Sequence, residues 1–183
     1  VRVISGKAKG KRLKAPSRAR PLTDQAKEAL FNILRERISG CYFLDLFAGS
    51  GAVGIEALSR GAAKATFVEL DRKAVAIIRQ NLRNAGFAGE TEVYALDVMR
   101  ALKLLGRKPE KFDIIFIGAP YDSPALEPVL TKLAENEILN ESAIVVAEHR
   151  KQHQLQNEYG KLKLFRDAKY GETVLSLYAI REI

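Results

Sequence analysis

The stretch Phe43–Leu58, FLDLFAGSGAVGIEAL, decides the fold. An apolar run suited to a buried strand passes through Asp45 and Phe47, glycines follow at positions 49, 51 and 54, and a helix-forming run begins at Ala52. Strand, Gly-x-Gly-x-x-Gly turn and helix in that order open an α/β unit that binds a ligand at its turn. Glycines there permit a tight bend, let a ligand approach the backbone, and let the helix pack closely on its strand. The bland reading, a helix start with incidental glycines, explains the turn but not the strand before it and the helix after it.

The pattern repeats outward. CYFLDLF (41–47) precedes the glycines; then come ATFVEL (65–70), a helix from Asp71 through Ala85, TEVYALD (91–97) and a short helix through Leu105. FDIIFI (112–117), a helix from Pro124 and SAIVVAE (142–148) complete the alternation. Strands alternating with helices predict a doubly wound, mostly parallel sheet covered on both faces, the Rossmann-like α/β class. The end differs: in KLKLFRDAKYGETVLSLYAI (161–180) two alternating runs meet around Lys169–Glu172, which predicts an antiparallel hairpin on the sheet's edge. Upstream, Pro21 and Thr23-Asp24 open a leading helix with Ala26, Ala29, Leu30, Ile33 and Leu34 on one face, closed by Gly40. The expected organisation is one domain over 1–183: a basic hairpin (1–20), the leading helix (21–40) and a ligand-binding core (41–183).

Residues 1–20 hold Arg2, Lys7, Lys9, Lys11, Arg12, Lys14, Arg18 and Arg20 without an acid, whereas the rest of the chain is close to neutral, for a net charge of +8. Clustered cations neutralise phosphates and release counterions, so this segment is expected to grip a nucleic acid; a solvated arm is the plain alternative. SGKAKGKRL within it reads as a glycine-turned hairpin. No apolar run reaches bilayer length and the first residues lack the apolar stretch of a secretory signal, so the expectation is a cytoplasmic protein without a membrane partner. Cys41 stands alone, which precludes an internal disulfide, and is expected to pack as a small hydrophobe. His149 and His153 stand four apart with no third ligand at a metalloprotease-like spacing, so no metal is expected.

In open sheets of this kind ligands collect at the carboxyl ends of the strands. Asp45 stands four residues before the first glycine, Glu69 ends the second strand and Asp97 the third. A pyrophosphate at the helix N-terminus would compete with the nearby Asp45 for positive potential. An acid suits a ligand carrying an ammonium and a sulfonium instead, which describes S-adenosylmethionine (SAM). Glu69 can accept both ribose hydroxyls and Asp97 can face an adenine amino group; either can also be a surface acid or a helix cap.

VRVISGKAKGKRLKAP, RPLTDQAKEALFNIL, LDLFAGSGAVGIEALSRGA, FVELDRKAVAIIRQNL, FDIIFIGAPY, VVAEH and KYGETVLSLY resemble, in order and spacing, the bacterial RsmD family over nearly the whole chain. The resemblance implies a SAM-dependent methyltransferase acting on the exocyclic N2 of a guanine in 16S ribosomal RNA. It implies a cofactor pocket of Asp45, Phe47, Ala48, Gly49, Ser50, Gly51, Glu69, Leu70, Asp97 and Val98. It makes the basic hairpin the RNA grip, with ribosomal RNA or an assembling small subunit as partner of a monomeric enzyme.

The family's fourth strand ends in Asp or Asn, Pro, Pro, then Tyr or Phe. The side chain and the next carbonyl accept hydrogen bonds from a poorly nucleophilic purine amine while the aromatic ring stacks on the extruded base. This chain reads Gly118, Ala119, Pro120, Tyr121 at that catalytic corner, so the carbonyls and the ring remain and the side-chain acceptor is missing. It also reads Arg20-Pro21-Leu22, with Thr23 following, where the family has Arg-Pro-Thr. Asp122 or the Glu148-His149 pair is the expected substitute acceptor. The competing expectations are a homologue that binds SAM and RNA with weakened or redirected transfer and, more distantly, a dinucleotide oxidoreductase or a binding module.

Overall fold

A computed structural model describes residues 1–18 and 20–183. Eight strands form one sheet in the order β3-β2-β1-β4-β5-β8-β7-β6. They are β1 (Tyr42–Leu46), β2 (Lys64–Val68), β3 (Thr91–Tyr94), β4 (Phe112–Ile117), β5 (Leu139–Arg150), β6 (Glu158–Tyr159), β7 (Leu162–Tyr170) and β8 (Thr173–Ala179). The first five run parallel, and β8, β7 and β6 follow by antiparallel pairing. The chain winds from β1 to β3 in one direction and then crosses to β4 on the other side of β1, so the switch point lies between β1 and β4.

Helices cover both faces: α1 (Asp24–Ile33), α2 (Arg35–Ile38), α3 (Ala52–Ser59), α4 (Arg72–Ala85), α5 (Val98–Leu105) and α6 (Leu126–Glu135). Alternate strand residues divide between two apolar layers. Phe43, Phe67, Ile114, Phe116, Ile144 and Val146 pack with Leu30, Phe31, Ile55 and Ile78 on one side. Leu44, Val68, Ile115, Ile117 and Val145 pack with Leu102, Leu130 and Leu133 on the other. Burial on both faces is why the parallel strands read as near-continuous apolar runs.

The structure differs from the sequence expectations at element ends. The leading helix is two pieces, because Leu34 leaves helical geometry (φ −86°, ψ 0°) and the offset lets both Leu34 and Ile38 reach the core. Ala29 and Ile33, expected on the buried face, are only half-buried, and Lys27 is buried beside Ala26 in their place. Strand β5 extends beyond both expected ends, with a register shift opposite Phe112/Ile114, and the two-residue β6 has no sequence signal.

Residues 1–14 fold back on themselves, with Val3 N donating to Lys11 O (2.9 Å), Gly10 N to Val3 O (2.9 Å) and Leu13 N to Val1 O (2.8 Å). Val3, Ala8 and Leu13 are buried, while Lys7, Lys9, Lys11, Arg12 and Lys14 are exposed. Cys41 lies in the core, where burial pushes its thiol up to about 12. No described helix is long and apolar enough to cross a membrane.

Candidate active site

The glycine loop leaves β1 under local constraint. Phe47 has φ 60°, the one positive φ outside glycine among the described residues. Such a backbone costs on the order of 1–3 kcal/mol and persists where its surroundings dictate it. Gly49 (φ +57°) faces open space, with no atom within 4 Å of where a Cβ would stand. Gly54 has a different job: a Cβ there would lie 2.4 Å from the Phe67 ring, so this glycine lets α3 sit against β2. Ser50 Oγ accepts from Ala52 N (3.3 Å) and its carbonyl accepts from Asn81 Nδ2 (2.8 Å), while Ala48 N donates to Val68 O (3.0 Å).

Asp45 is 1% exposed and its Oδ2 accepts from Gly54 N at 3.0 Å. Burial pushes its carboxyl up to about 8; the Gly54 amide opposes this and the charges of Glu69 and Glu148 add to it. The charged form of a buried acid with two acids for company is favoured by a cationic ligand. Glu69 braces the loop, its Oε1 accepting from Gly49 N (2.8 Å) and its Oε2 from Asp71 N (2.9 Å). Leu70 beside it is 66% exposed, unusual for a leucine. Asp97 is an exposed N-cap of α5, its Oδ2 accepting from Met99 N and Arg100 N, so the cap reading holds for that oxygen. Val98 packs its side chain into the α5–α6 core, leaving its backbone as the part that can meet a ligand.

The corner after β4 abuts this loop: Gly118 N donates to Leu46 O at 3.1 Å. Ala119 is buried and Pro120 exposed. Tyr121 is half-buried; its hydroxyl donates to Glu148 Oε2 (2.6 Å) and lies 2.7 Å from Thr173 Oγ1. Burial and the Glu148 bond raise the phenol to about 12. The guanidinium carbons of Arg20 and Arg150 lie 5.5 and 5.6 Å from the ring centroid, within cation–π range. Of the expected substitute acceptors, Glu148 is the one with a hydrogen bond into the corner. His149, next along the strand, turns to the opposite face and bonds Ser176 Oγ (2.7 Å) through Nε2, and Asp122 is exposed.

A polar network fastens the basic hairpin to α3. Glu56 is fully buried and accepts from Ile4 N (2.9 Å), Ser5 N (3.1 Å) and Arg60 Nε (2.8 Å), with Lys27 Nζ at 3.3 Å. Lys27 in turn donates to Arg2 O (2.6 Å). Ser59 Oγ accepts from Ala8 N and donates to Ser5 O, and Asn81 exchanges two bonds with the Lys14 backbone. Gly6 (φ +89°) presses against α3, where a Cβ would meet Ser59 O at 1.9 Å. The exposed cations of residues 1–14 therefore ride on a fixed support, with Arg2 tied to Asp24 at 3.4 Å, while Arg18 and Arg20 are exposed beyond it. Lys27 does not stand out by sequence pattern, whereas Glu56, the single acid in the apolar run AVGIEALS, does carry a signal.

A dinucleotide-binding sheet sets its sixth strand directly beside the fifth. Here β8 is wedged antiparallel between β5 and β7, and the molecule has the Rossmann-like methyltransferase fold. The family model described as conserved hypothetical protein 95 matches residues 1–179. The chain is 39% identical over 183 residues to YlbH of Bacillus subtilis (strain 168), covering 99% of this chain and 100% of that one. It is 34% identical over 182 residues to the ribosomal RNA small subunit methyltransferase D of Escherichia coli (strain K12), covering 97% and 89%. Among solved structures, yhhF from Escherichia coli superposes with a TM-score of 0.86 at 33% identity over 99% of each chain. The chain belongs to the RsmD family.

Proposed function

We propose that the protein is a SAM-dependent methyltransferase that modifies the exocyclic N2 of a guanine in 16S ribosomal RNA, as naked RNA or within an assembling small subunit. The observation that carries this reading is the hydrogen bond from Gly118 to Leu46 at the switch point, which sets the Asp45 loop beside the Tyr121 corner. The residues fit the cofactor: a buried carboxyl short of a cation, an open cradle over Gly49 and the exposed Leu70 suit a sulfonium, a flexible tail and an adenine ring. When bound, SAM supplies a methyl group activated by positive sulfur. Asp45 and Phe47 to Gly51 line the tail, Glu69 fixes the loop and offers its remaining lone pairs to ribose, and Asp97 Oδ1 and the Val98 backbone flank the adenine.

On the substrate side, the Gly118 and Ala119 carbonyls accept from the target amine, and the Tyr121 ring supports an extruded base. Orientation toward the methyl carbon supplies most of the rate. Lys7, Lys9, Lys11, Arg12, Lys14 and Arg20, with Arg2 at the margin, hold the phosphate backbone. The protein works as a monomer in the cytoplasm, where its substrate is assembled. The test is mass spectrometry of small-subunit RNA from cells with and without the protein, alongside calorimetry with S-adenosylhomocysteine and NAD. Loss of one N2-methylguanosine and binding of the homocysteine alone are expected; unchanged RNA, or binding of NAD instead, overturns the reading.

A further inference from the structure

We propose that Glu148, on β5, is a catalytic residue: its free Oε1 accepts the hydrogen bond and then the proton of the target amine, in the space that Gly118 leaves without a side chain. The inference rests on the methyl-transfer reading above. The register supplies the placement, since Ile117 pairs with Ala147 and the next position sets Gly118 beside Glu148. A Cβ on Gly118 would lie 3.6 Å from Glu148 Oε1, so the carboxylate comes to the corner from the neighbouring strand. The other oxygen is spent on the Tyr121 hydroxyl, which fixes the rotamer, and Oε1 has no hydrogen-bond partner among the described residues. Glu148 is 9% exposed, a burial that a carboxylate tolerates where its position has a use.

As the nitrogen–carbon bond forms and the carbon–sulfur bond breaks with its electron pair left on sulfur, the amine nitrogen must shed one proton. Oε1 receives it and later passes it to water. Burial raises the Glu148 carboxyl, making it a stronger base, against the opposing pull of Tyr121 and Arg20. The charged and titratable groups facing it are Asp45 from β1, Tyr121 from the corner and Arg20 from the segment before α1, with Arg150 across the Tyr121 ring. Strand β8 presents Thr173 and Leu175.

The experiment measures single-turnover methyl transfer to small-subunit particles at saturating SAM for the parent, Glu148→Gln, Gly118→Asp and the double variant. It adds S-adenosylhomocysteine affinity and the pH–rate profile. Glu148→Gln should slow transfer by roughly a hundredfold, the scale of one preorganised group, and flatten the acid limb while leaving affinity within about twofold. Adding Gly118→Asp should recover about tenfold, because a carboxylate returns to the same space. Glu148→Gln transferring at the parent rate, or losing affinity and rate together with no recovery in the double variant, overturns the assignment. A parent that transfers no methyl group removes the proposed function and this assignment with it, whereas an active parent matched by Glu148→Gln removes the assignment alone.

Discussion

Asp45 is pulled two ways, since burial favours its proton and a cationic ligand favours its charge. Its folded-state value, about 8 against an ordinary 3.8, means the native chain keeps a proton that the unfolded chain has lost across that range. The associated stability is complete below the lower value and disappears as pH climbs through the upper one. Asp45→Asn keeps an acceptor for Gly54 N and lacks the titration, so its melting temperature relative to the parent should rise from pH 5 to about pH 8 and level off above it. An unchanged difference would mean the carboxyl is ionised throughout. Proton release should accompany binding of a sulfonium ligand near pH 7, visible as calorimetric heats that depend on the buffer. At Glu69, two backbone amides share one carboxylate, so Glu69→Ala should weaken S-adenosylhomocysteine by at least about tenfold through loss of charge-assisted bonds. Equal affinity would remove Glu69 from the pocket.

Among the elements, α3 does double duty, with the glycine loop at its start and the basic hairpin along its flank. Glu56→Ala strands Lys27 without its buried counter-charge and frees the Ile4 and Ser5 amides, so a loss of about 3–5 kcal/mol is expected in denaturant unfolding. Gly6→Ala drives a methyl into a backbone oxygen and should unseat the hairpin, exposing residues 1–14 to limited proteolysis while the core still melts cooperatively. The periodicity of strands and helices made the sheet legible, because parallel strands covered on both sides must be apolar throughout. The glycine loop was legible for a similar reason, as only glycine meets Gly54's packing and Gly49's φ together. Element ends were not, since the Leu34 break depends on where Leu34 and Ile38 meet the sheet. Lys27 was hidden because its ion pair joins residues far apart in sequence. The split between Glu148 and His149 follows from strand alternation about a register that periodicity alone does not supply.

At the scale of the whole molecule, eight cations occupy one end of an otherwise near-neutral chain, and those within residues 1–14 are held in place by buried groups. Deleting residues 1–14 would strip Val3, Ala8 and Leu13 from the core, so charge removal is the cleaner test. Replacing Lys7, Lys9, Lys11 and Lys14 with Gln should leave the melting temperature nearly unchanged. The slope of log affinity for ribosomal RNA against log salt should flatten by about 0.7 for each single-stranded phosphate that the protein no longer neutralises. An unaltered slope would assign the grip to another surface. The sheet's margins carry a separate consequence. One ends in β6, two residues long, and the other in β3, four residues long and half-buried throughout. β6 covers β7 only at Leu162 and Lys163, and the open remainder of β7, residues 165–170, carries Arg166, Asp167 and Lys169. Charges along an edge disfavour pairing with a neighbouring copy, so concentrated solutions should resist fibre formation even where local RNA crowds many copies together.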